Sequence, residues 1–418
     1  MTGRELGKNL KGVLEHMHIC FLANARSIHT QRWATYFANR GHEISIISRD
    51  PAQLAYATVY APTRPGWLIR RKTMISAIVA QVMNAIHVRS LVRRIAPDIL
   101  EAFTFQSYGV LAVLSGFHPM AACHLGDDGI SYWSEVSLTV RFLVKLILKK
   151  ADLLHTFDQA GRDRLIELGG NPYKISINPW GVHTSFFTPT ARSEELCGEL
   201  GCGSGPVVTC IRHLEPQYDV QTYIRSMPLI EKEIPGVRFV LIGDGTEAVR
   251  LQKLASDLGV RQFQHLGYIQ YENLPKYLAS CDVYVDPVNK LWLKKSRTWF
   301  GRKINLSMAG LGYTQTLLAA MSCQVAPVVT ERPGIREIIS EGYEKYLFSP
   351  GDEADLARKV VQLLDDEIER KNYVVYCRKK IQEVAEWEVN ALRMEEEYRR
   401  LVNRFTSQDT IDRDQIIR

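Results

Sequence analysis

The segment SMAGLGYTQTLLAAMSCQVAPVVTERPGIREII, residues 307–339, carries three local signals in succession. Gly310 and Gly312 supply a tight turn, Thr314 or Thr316 can cap the helix that follows, and Leu317, Leu318 and Met321 recur along one helical face. A glycine loop therefore feeds a helix N-terminus, where unpaired N–H groups and the helix dipole favour an anion. Val325 to Thr330 then reads as a short buried strand, and Pro333-Gly334 turns the chain into another helix start at Ile335.

The flanking residues repeat this alternation. Upstream, a strand over Val207 to Ile211 is followed at once by Arg212, a strand over Val237 to Ile242 runs into Gly243-Asp244-Gly245, and one over Phe263 to Leu266 runs into Gly267-Tyr268-Ile269. A short helix over Leu274 to Leu278 and a strand ending at Asp286-Pro287 complete the series. In the first half, a strand over His18 to Leu22, a loop to Thr30, a helix to about Asn39, a stop at Gly41 and a strand over Glu43 to Ser48 form the first βαβ unit of a doubly wound sheet. Ile99 to Phe103 and Met120 to Cys123 add strands, the second running into His124-Leu125-Gly126-Asp127-Asp128. Met74 to Ile95 and Val140 to Lys150 have a helical apolar period interrupted by arginines and lysines; this suits the solvated face of a surface helix, and also a helix lying against anionic lipid. Glu353 to Leu364 and Trp387 to Leu401 are further helices, and Thr406 to Arg418, without apolar period, reads as a loose tail.

A chain of 418 residues with 46% hydrophobic content can bury two cores of ordinary size, so two α/β domains are expected. The net charge of +6 is too modest to point to nucleic acid and suits a protein that handles phosphates or works beside anionic lipid. The eight cysteines lie mostly in apolar runs without metal-site spacing, which predicts buried free thiols and no bound metal. Met1 to His16 has no apolar stretch of signal-peptide length, and no run approaches the roughly 18 apolar residues of a spanning helix. The expected location is the cytosol or the cytosolic face of a membrane.

The order of loop, helix, strand and Pro-Gly turn in 307–339 resembles the donor-binding region of retaining GT-B glycosyltransferases of family 4. There the passage reads Glu-Gly-x-x-x-x-Leu-Leu-Glu-Ala-Met-Ala-Cys-Gly, then Pro-Val-Val, then Pro-Gly and Glu. Leu317 to Cys323 falls on Leu-Leu-Glu-Ala-Met-Ala-Cys without a gap, and Glu337 falls on the later glutamate. Leu311 and Ala319 stand where the family carries its two glutamates, and Gln324 replaces the glycine after the cysteine. Further resemblance lies in Ser27 to Trp33, in Gly41-His42-Glu43, in Lys174 to Pro189 and in the Trp387-Glu388 pair, so it extends over about residues 17–405.

That resemblance implies the GT-B fold, an α/β architecture of two facing Rossmann-like domains with a deep interdomain cleft. The first domain is expected over 17–187, a glycine-containing linker over 188–205, the second domain over 206–385, a helix crossing back over 386–405, and the tail over 406–418. It implies donor-binding roles for Arg212, Gly243, Tyr268, Ile269, Gly310, Gly312, Tyr313, Thr314 and position 319, held by Ala319. Asp128 and His124 become the catalytic-centre residues, and Arg26 and His29 acceptor-side or cleft residues, although a basic loop residue without a role fits these two as well. Arg212 just past a strand could bind phosphate or pair with a neighbouring carboxylate.

Between Pro287 and Ser307 the chain is longer than the family's connection and carries Lys290, Lys294, Lys295, Arg297, Arg302 and Lys303 among tryptophans, which suits a lipid interface, an anionic ligand or a plain insertion. The activity implied is transfer of a sugar, with retention, from a nucleoside-diphosphate sugar to a lipid-linked or glycan acceptor, with no cofactor beyond the donor substrate. The alternative, suggested by the missing glutamates, is a non-catalytic GT-B subunit that binds or positions a partner transferase or acceptor.

Overall fold

The computed structural model describes residues 16–62, 74–124, 138–288, 295–299, 302–306 and 313–416. The chain divides into two compact units, one of Met1–Asn178, Lys294–Ser307 and Val389–Arg418, the other of Pro179–Leu293 and Met308–Glu388.

The first unit is built on strands β1 (His18–Leu22), β2 (Glu43–Ile47), β3 (Thr58–Tyr60), β4 (Ile99–Phe103), β5 (Met120–Cys123), β6 (Leu153–Thr156) and β7 (Ile175–Ile177). They form one parallel sheet in the order β3-β2-β1-β4-β5-β6-β7, with Ile19 opposite both Ile44 and Ile99. Near-continuous apolar runs such as HICFL are what a strand needs when both faces are covered. Right-handed crossovers put the Ile28–Asn39 helix on one face and the Met74–Ile95, Val110–Ser115 and Leu138–Lys150 helices on the other. Val88, Val92, Leu111, Val144 and Ile147 fill the core under those three helices.

On the opposite face lies the final helix, Trp387–Ile416, whose Tyr398 ring stacks on Phe37 at 5.6 Å. Two buried polar clusters fasten it. The Tyr398 hydroxyl donates to Glu101 of β4, His155 of β6 sits 3.2 Å from Glu101 and 3.0 Å from Glu397, and the Ser176 hydroxyl donates to Glu397. One turn away, buried Glu395 receives Arg40, Arg399 and, at 3.1 Å, His42. Burial alone would lower the His155 pKa, but Glu101 and Glu397 together lift it to about 10. The helix also corrects the expectation of a loose tail from 406: no proline or glycine stops it, and the Thr406 and Ser407 hydroxyls donate back to the Val402 and Asn403 carbonyls.

The second unit contains β8 (Val207–Ile211), β9 (Arg238–Ile242), β10 (Phe263–His265) and β11 (Val283–Asp286). Along the chain β12 (Lys295–Trp299) and β13 (Arg302–Leu306) come next and group with the first unit, and β14 (Ala326–Thr330) and β15 (Leu347–Phe348) complete the second. The parallel sheet has the order β10-β9-β8-β11-β14-β15, while β12 and β13, in the basic insertion, form a separate antiparallel pair.

The unit begins earlier than the sequence suggests. Val182 and Phe187 lie in its core, and the Phe187 carbonyl accepts from Ser322 at 2.6 Å and from Arg378 at 3.1 Å. Nor are residues 188–205 a plain linker. Their glycines end a short helix, Glu194–Leu200, whose Leu196 and Leu200 enter the same core, with Gly201 at φ +75° as its left-handed stop. All eight cysteines are free, and all but Cys202 are buried.

The His155 cluster generates a pH prediction. A histidine with a raised folded pKa stabilises fully below its unfolded value near 6.5 and loses that contribution as pH climbs toward about 10. Wild-type Tm should therefore fall between pH 7 and 10 more steeply than that of His155→Ala, and at pH 6.5 the variant should be less stable by about 3–5 kcal/mol, because it strands buried Glu101. Parallel Tm profiles for the two proteins would contradict a charged His155.

Candidate functional site

In the second unit β8, β11 and β14 are neighbours, so their C-terminal ends lie side by side. In open α/β sheets this is the edge that binds ligands. Each of these strands delivers one charged residue there: Arg212 follows β8, Asp286 ends β11, and Arg332 comes two residues after β14. Asp286 is fully buried and is shared by both arginines, with Arg212 Nη1 at 3.2 Å from Oδ1 and Arg332 Nη2 at 2.6 Å from Oδ2. Burial would raise the carboxyl pKa, but the two guanidinium groups hold it below the ordinary carboxylate range.

Neighbouring groups fix the cluster in place. Arg212 Nη2 donates to the Pro287 carbonyl at 3.3 Å, and the guanidinium lies 4.4 Å from the centre of the Tyr218 ring. Behind it, Gly243 at the end of β9 has φ +135°, and a Cβ there would lie 1.8 Å from the Arg212 carbonyl oxygen. Only glycine permits that approach, so Gly243 positions the backbone that carries Arg212. On the other side, Thr314 caps the Gln315–Ser322 helix by accepting from Leu317 N–H at 3.1 Å, and its hydroxyl donates to Asp286 at 3.3 Å. Tyr284 donates to Thr316 at 2.9 Å, tying the first turn of that helix to β11.

Two guanidinium groups against one carboxylate leave the cluster a net positive charge at a sheet edge beside a helix N-terminus. Arg212 Nε is buried without a hydrogen-bond partner among the described residues. This arrangement can bind a multiply charged anion such as a diphosphate. Of the two readings of Arg212, the structure shows the pairing with a carboxylate, and that carboxylate is also claimed by a second arginine.

The remaining site candidates fall into distinct places. Gly310, Gly312 and Asp128 lie outside the described residues. Tyr313 is half-buried against the core beside the cap, Tyr268 is exposed, and Ile269 is half-buried beside it, both just past Gly267. Ala319 is buried in the core, where its methyl group packs and offers a ligand no hydrogen bond. His124 is buried at the end of β5, edge-on to Phe105 with ring centroids 5.8 Å apart, and burial brings its pKa down to about 4, so the ring is neutral near pH 7. His29 begins the Ile28–Asn39 helix, where burial and then Arg32 bring it to about 4, and Arg26 is exposed in the preceding turn. Arg26, His29 and His124 belong to the first unit and the arginine cluster to the second.

Sequence reading missed Asp286 and Arg332. Their signal was positional: each ends or closely follows a buried strand of the sheet that carries Arg212.

Two parallel-sheet units of this kind define a GT-B protein. The structure of HepE from Anabaena in complex with UDP and glucose superposes with a TM-score of 0.70 at 18% identity, covering 92% of this chain and all of that one. The family model Glycosyl transferases group 1 matches residues 202–380, and the model Glycosyl transferase 4-like matches residues 18–158. The chain belongs to the group 1 glycosyltransferases. Among curated relatives, a GDP-mannose-dependent alpha-(1-6)-phosphatidylinositol monomannoside mannosyltransferase of Mycolicibacterium smegmatis is 28% identical over 56% of this chain and 58% of its own length. A GDP-mannose-dependent monoacylated alpha-(1-6)-phosphatidylinositol monomannoside mannosyltransferase of Corynebacterium glutamicum is 26% identical over 72% of this chain and 73% of its own.

Asp286→Asn would leave two buried guanidinium groups facing a neutral amide. The expected cost is about 3–5 kcal/mol, read from the urea midpoint. The destabilisation should also shrink in acid, because a carboxylate with a lowered folded pKa stabilises above its unfolded value near 3.9 and loses that contribution as pH falls through the folded one. A variant as stable as wild type at pH 7 would mean that the carboxylate does not hold the arginines.

Proposed function

We propose that the protein transfers a sugar, with retention, from a nucleoside-diphosphate sugar to a lipid-linked acceptor, and that the donor diphosphate binds at the arginine pair. The observation that carries this is the placement of Arg212 and Arg332 around one buried carboxylate, at the C-terminal sheet edge and next to the capped N-terminus of the Gln315–Ser322 helix. The names of the two relatives, which act with GDP-mannose on phosphatidylinositol mannosides, support the donor class and the lipid acceptor.

In the reaction the bond between the anomeric carbon and the diphosphate breaks, and negative charge grows on the departing phosphate oxygens. Arg212, Arg332 and the first N–H groups of the helix are fixed donors for that charge, and preorganised donors lower a barrier most when they need not rearrange. The departing diphosphate oxygen can accept the proton of the acceptor hydroxyl, so no side chain has to act as base. Gly243 and Tyr218 serve by holding Arg212 in place.

Ala319 favours the second reading, a GT-B subunit that positions a partner or acceptor, because that position carries no carboxylate for a donor ribose. Loss of hydrogen bonds to a charged acceptor costs roughly 1.5–3 kcal/mol, or about ten- to a hundredfold in affinity, which weakens donor binding without abolishing it.

Calorimetric titration with GDP, UDP and ADP separates the two. Wild type should bind at least one of them, and Arg212→Ala, measured at a temperature where it stays folded despite the partner lost to buried Asp286, should weaken that binding by about ten- to a hundredfold. If wild type binds none of the three at millimolar concentration, the transferase reading gives way to the subunit reading.

A further inference from the structure

The segments that leave β8 and β9 stay joined as they turn toward their helices. Arg212 N–H donates to the Ile242 carbonyl at 3.0 Å, Leu214 N–H to the Asp244 carbonyl at 3.0 Å, and Glu247 N–H to the Leu214 carbonyl at 2.9 Å. The Glu215 carboxylate accepts the Thr246 N–H at 3.1 Å and the Thr246 hydroxyl at 2.8 Å. Residues 212–215 and 243–247 therefore move as one piece. Two glycines permit the contact, since a Cβ on Gly243 would lie 1.8 Å from the Arg212 carbonyl oxygen and one on Gly245 would lie 2.4 Å from that of Leu214.

Glycine loops before a helix often cradle phosphate, but the N–H groups of this one are already taken. Gly245 N–H meets Asp244 Oδ1 at 2.7 Å, Thr246 N–H meets Glu215, and Glu247 N–H meets Leu214. At the start of the Ala248–Asp257 helix the Glu215 carboxylate stands where an anion would otherwise go. What the loop holds is the backbone of Arg212. A glycine permits such an approach without enforcing it, because no other residue leaves a given φ and ψ so easily. Gly243 needs a restraint from outside.

His265 and Gly267 supply it. Gly243 N–H donates to the Gly267 carbonyl at 2.8 Å, and the Gly243 carbonyl lies 2.9 Å from Nε2 of His265, the residue that ends β10. A carbonyl only accepts, so Nε2 carries the hydrogen and Nδ1 keeps its lone pair. Gln252 of the Ala248–Asp257 helix donates its amide to Nδ1 and fixes the ring in that orientation. We infer that His265 is a positioning residue for Arg212, acting through Gly243. Asp286 and Tyr218 direct the Arg212 side chain, and the His265–Gly243 contact directs the main chain from which it extends. A donor aimed before its ligand arrives is worth more than one that must be ordered on binding. That Arg212 then meets a diphosphate rests on the reading proposed above; that His265 fixes its backbone does not.

The test compares full-length wild type, His265→Phe and His265→Gln. Phenylalanine keeps a ring but cannot donate to Gly243, whereas glutamine restores a side-chain N–H. Amide hydrogen exchange of peptides covering 207–216 should be about tenfold faster in His265→Phe, with exchange in the strands of the first unit unchanged, and should return to within about threefold of wild type in His265→Gln. Affinity for whichever of GDP, UDP and ADP wild type binds should fall about tenfold in His265→Phe and recover in the same way in His265→Gln. A general loss of packing would speed exchange throughout the second unit and would not be rescued by glutamine. The inference is overturned if peptides covering 207–216 exchange at the wild-type rate in His265→Phe, if His265→Gln is no better than His265→Phe, or if His265→Phe binds the nucleotide like wild type. If exchange responds as expected while wild type binds none of the three diphosphates, the donor reading fails and the positioning role stands.

Discussion

A carboxylate removed from water must be met by positive charge or lose its own, and the second unit is organised around one such group. Asp286 ends β11 with no exposure, and the strands on either side bring Arg212 and Arg332 to it. Each partner is held from behind, Arg212 by the close approach of Gly243 and the Tyr218 ring, Asp286 by the Thr314 hydroxyl that also caps a helix. The cost of burying three charges is large, and a pair would have sufficed to satisfy the aspartate. The third charge leaves the cluster with a net positive charge.

The first unit uses the same physics for attachment. Glu101, buried in β4, and Glu395, buried on the last helix, are each surrounded by histidine, arginine or tyrosine, so the helix docks in one register only. An apolar helix face could slide against a sheet with modest loss. A helix whose Glu395, Glu397 and Tyr398 each have a designated partner cannot, because a one-residue slip would leave several buried polar groups unpaired. The stacked Phe37 and Tyr398 rings add apolar contact between these polar anchors.

Asymmetry between the faces of the first sheet follows from this. One face receives the final helix with its matched acids. The other carries the crossover helices Met74–Ile95, Val110–Ser115, Leu138–Lys150 and Gln159–Glu167, whose Val88, Leu111, Val144 and Leu165 share one apolar core.

Much of the architecture was legible because strands buried on both faces must be continuous apolar runs, and ILEAF, MAAC and VVTCI can be little else. The helices Met74–Ile95 and Gln315–Ser322 were legible from periodicity and, for the second, from its threonine cap. Glu367–Val384 was not, because only Tyr373, Cys377 and Ile381 are buried among charged residues, a stripe too thin to stand out. The seam between the units was misread because glycines at 201–205 look like a linker, while Phe187 gave no local sign that its carbonyl would be held by Ser322 and Arg378, more than a hundred residues away. By itself the sequence determined the buried strands, the strongly periodic helices and that Arg212 stands at a strand end, since these depend on neighbours in the chain. Only the tertiary structure decided that Asp286 and Arg332 join it, because the order of β8, β11 and β14 is set by sheet packing across residues 207–330.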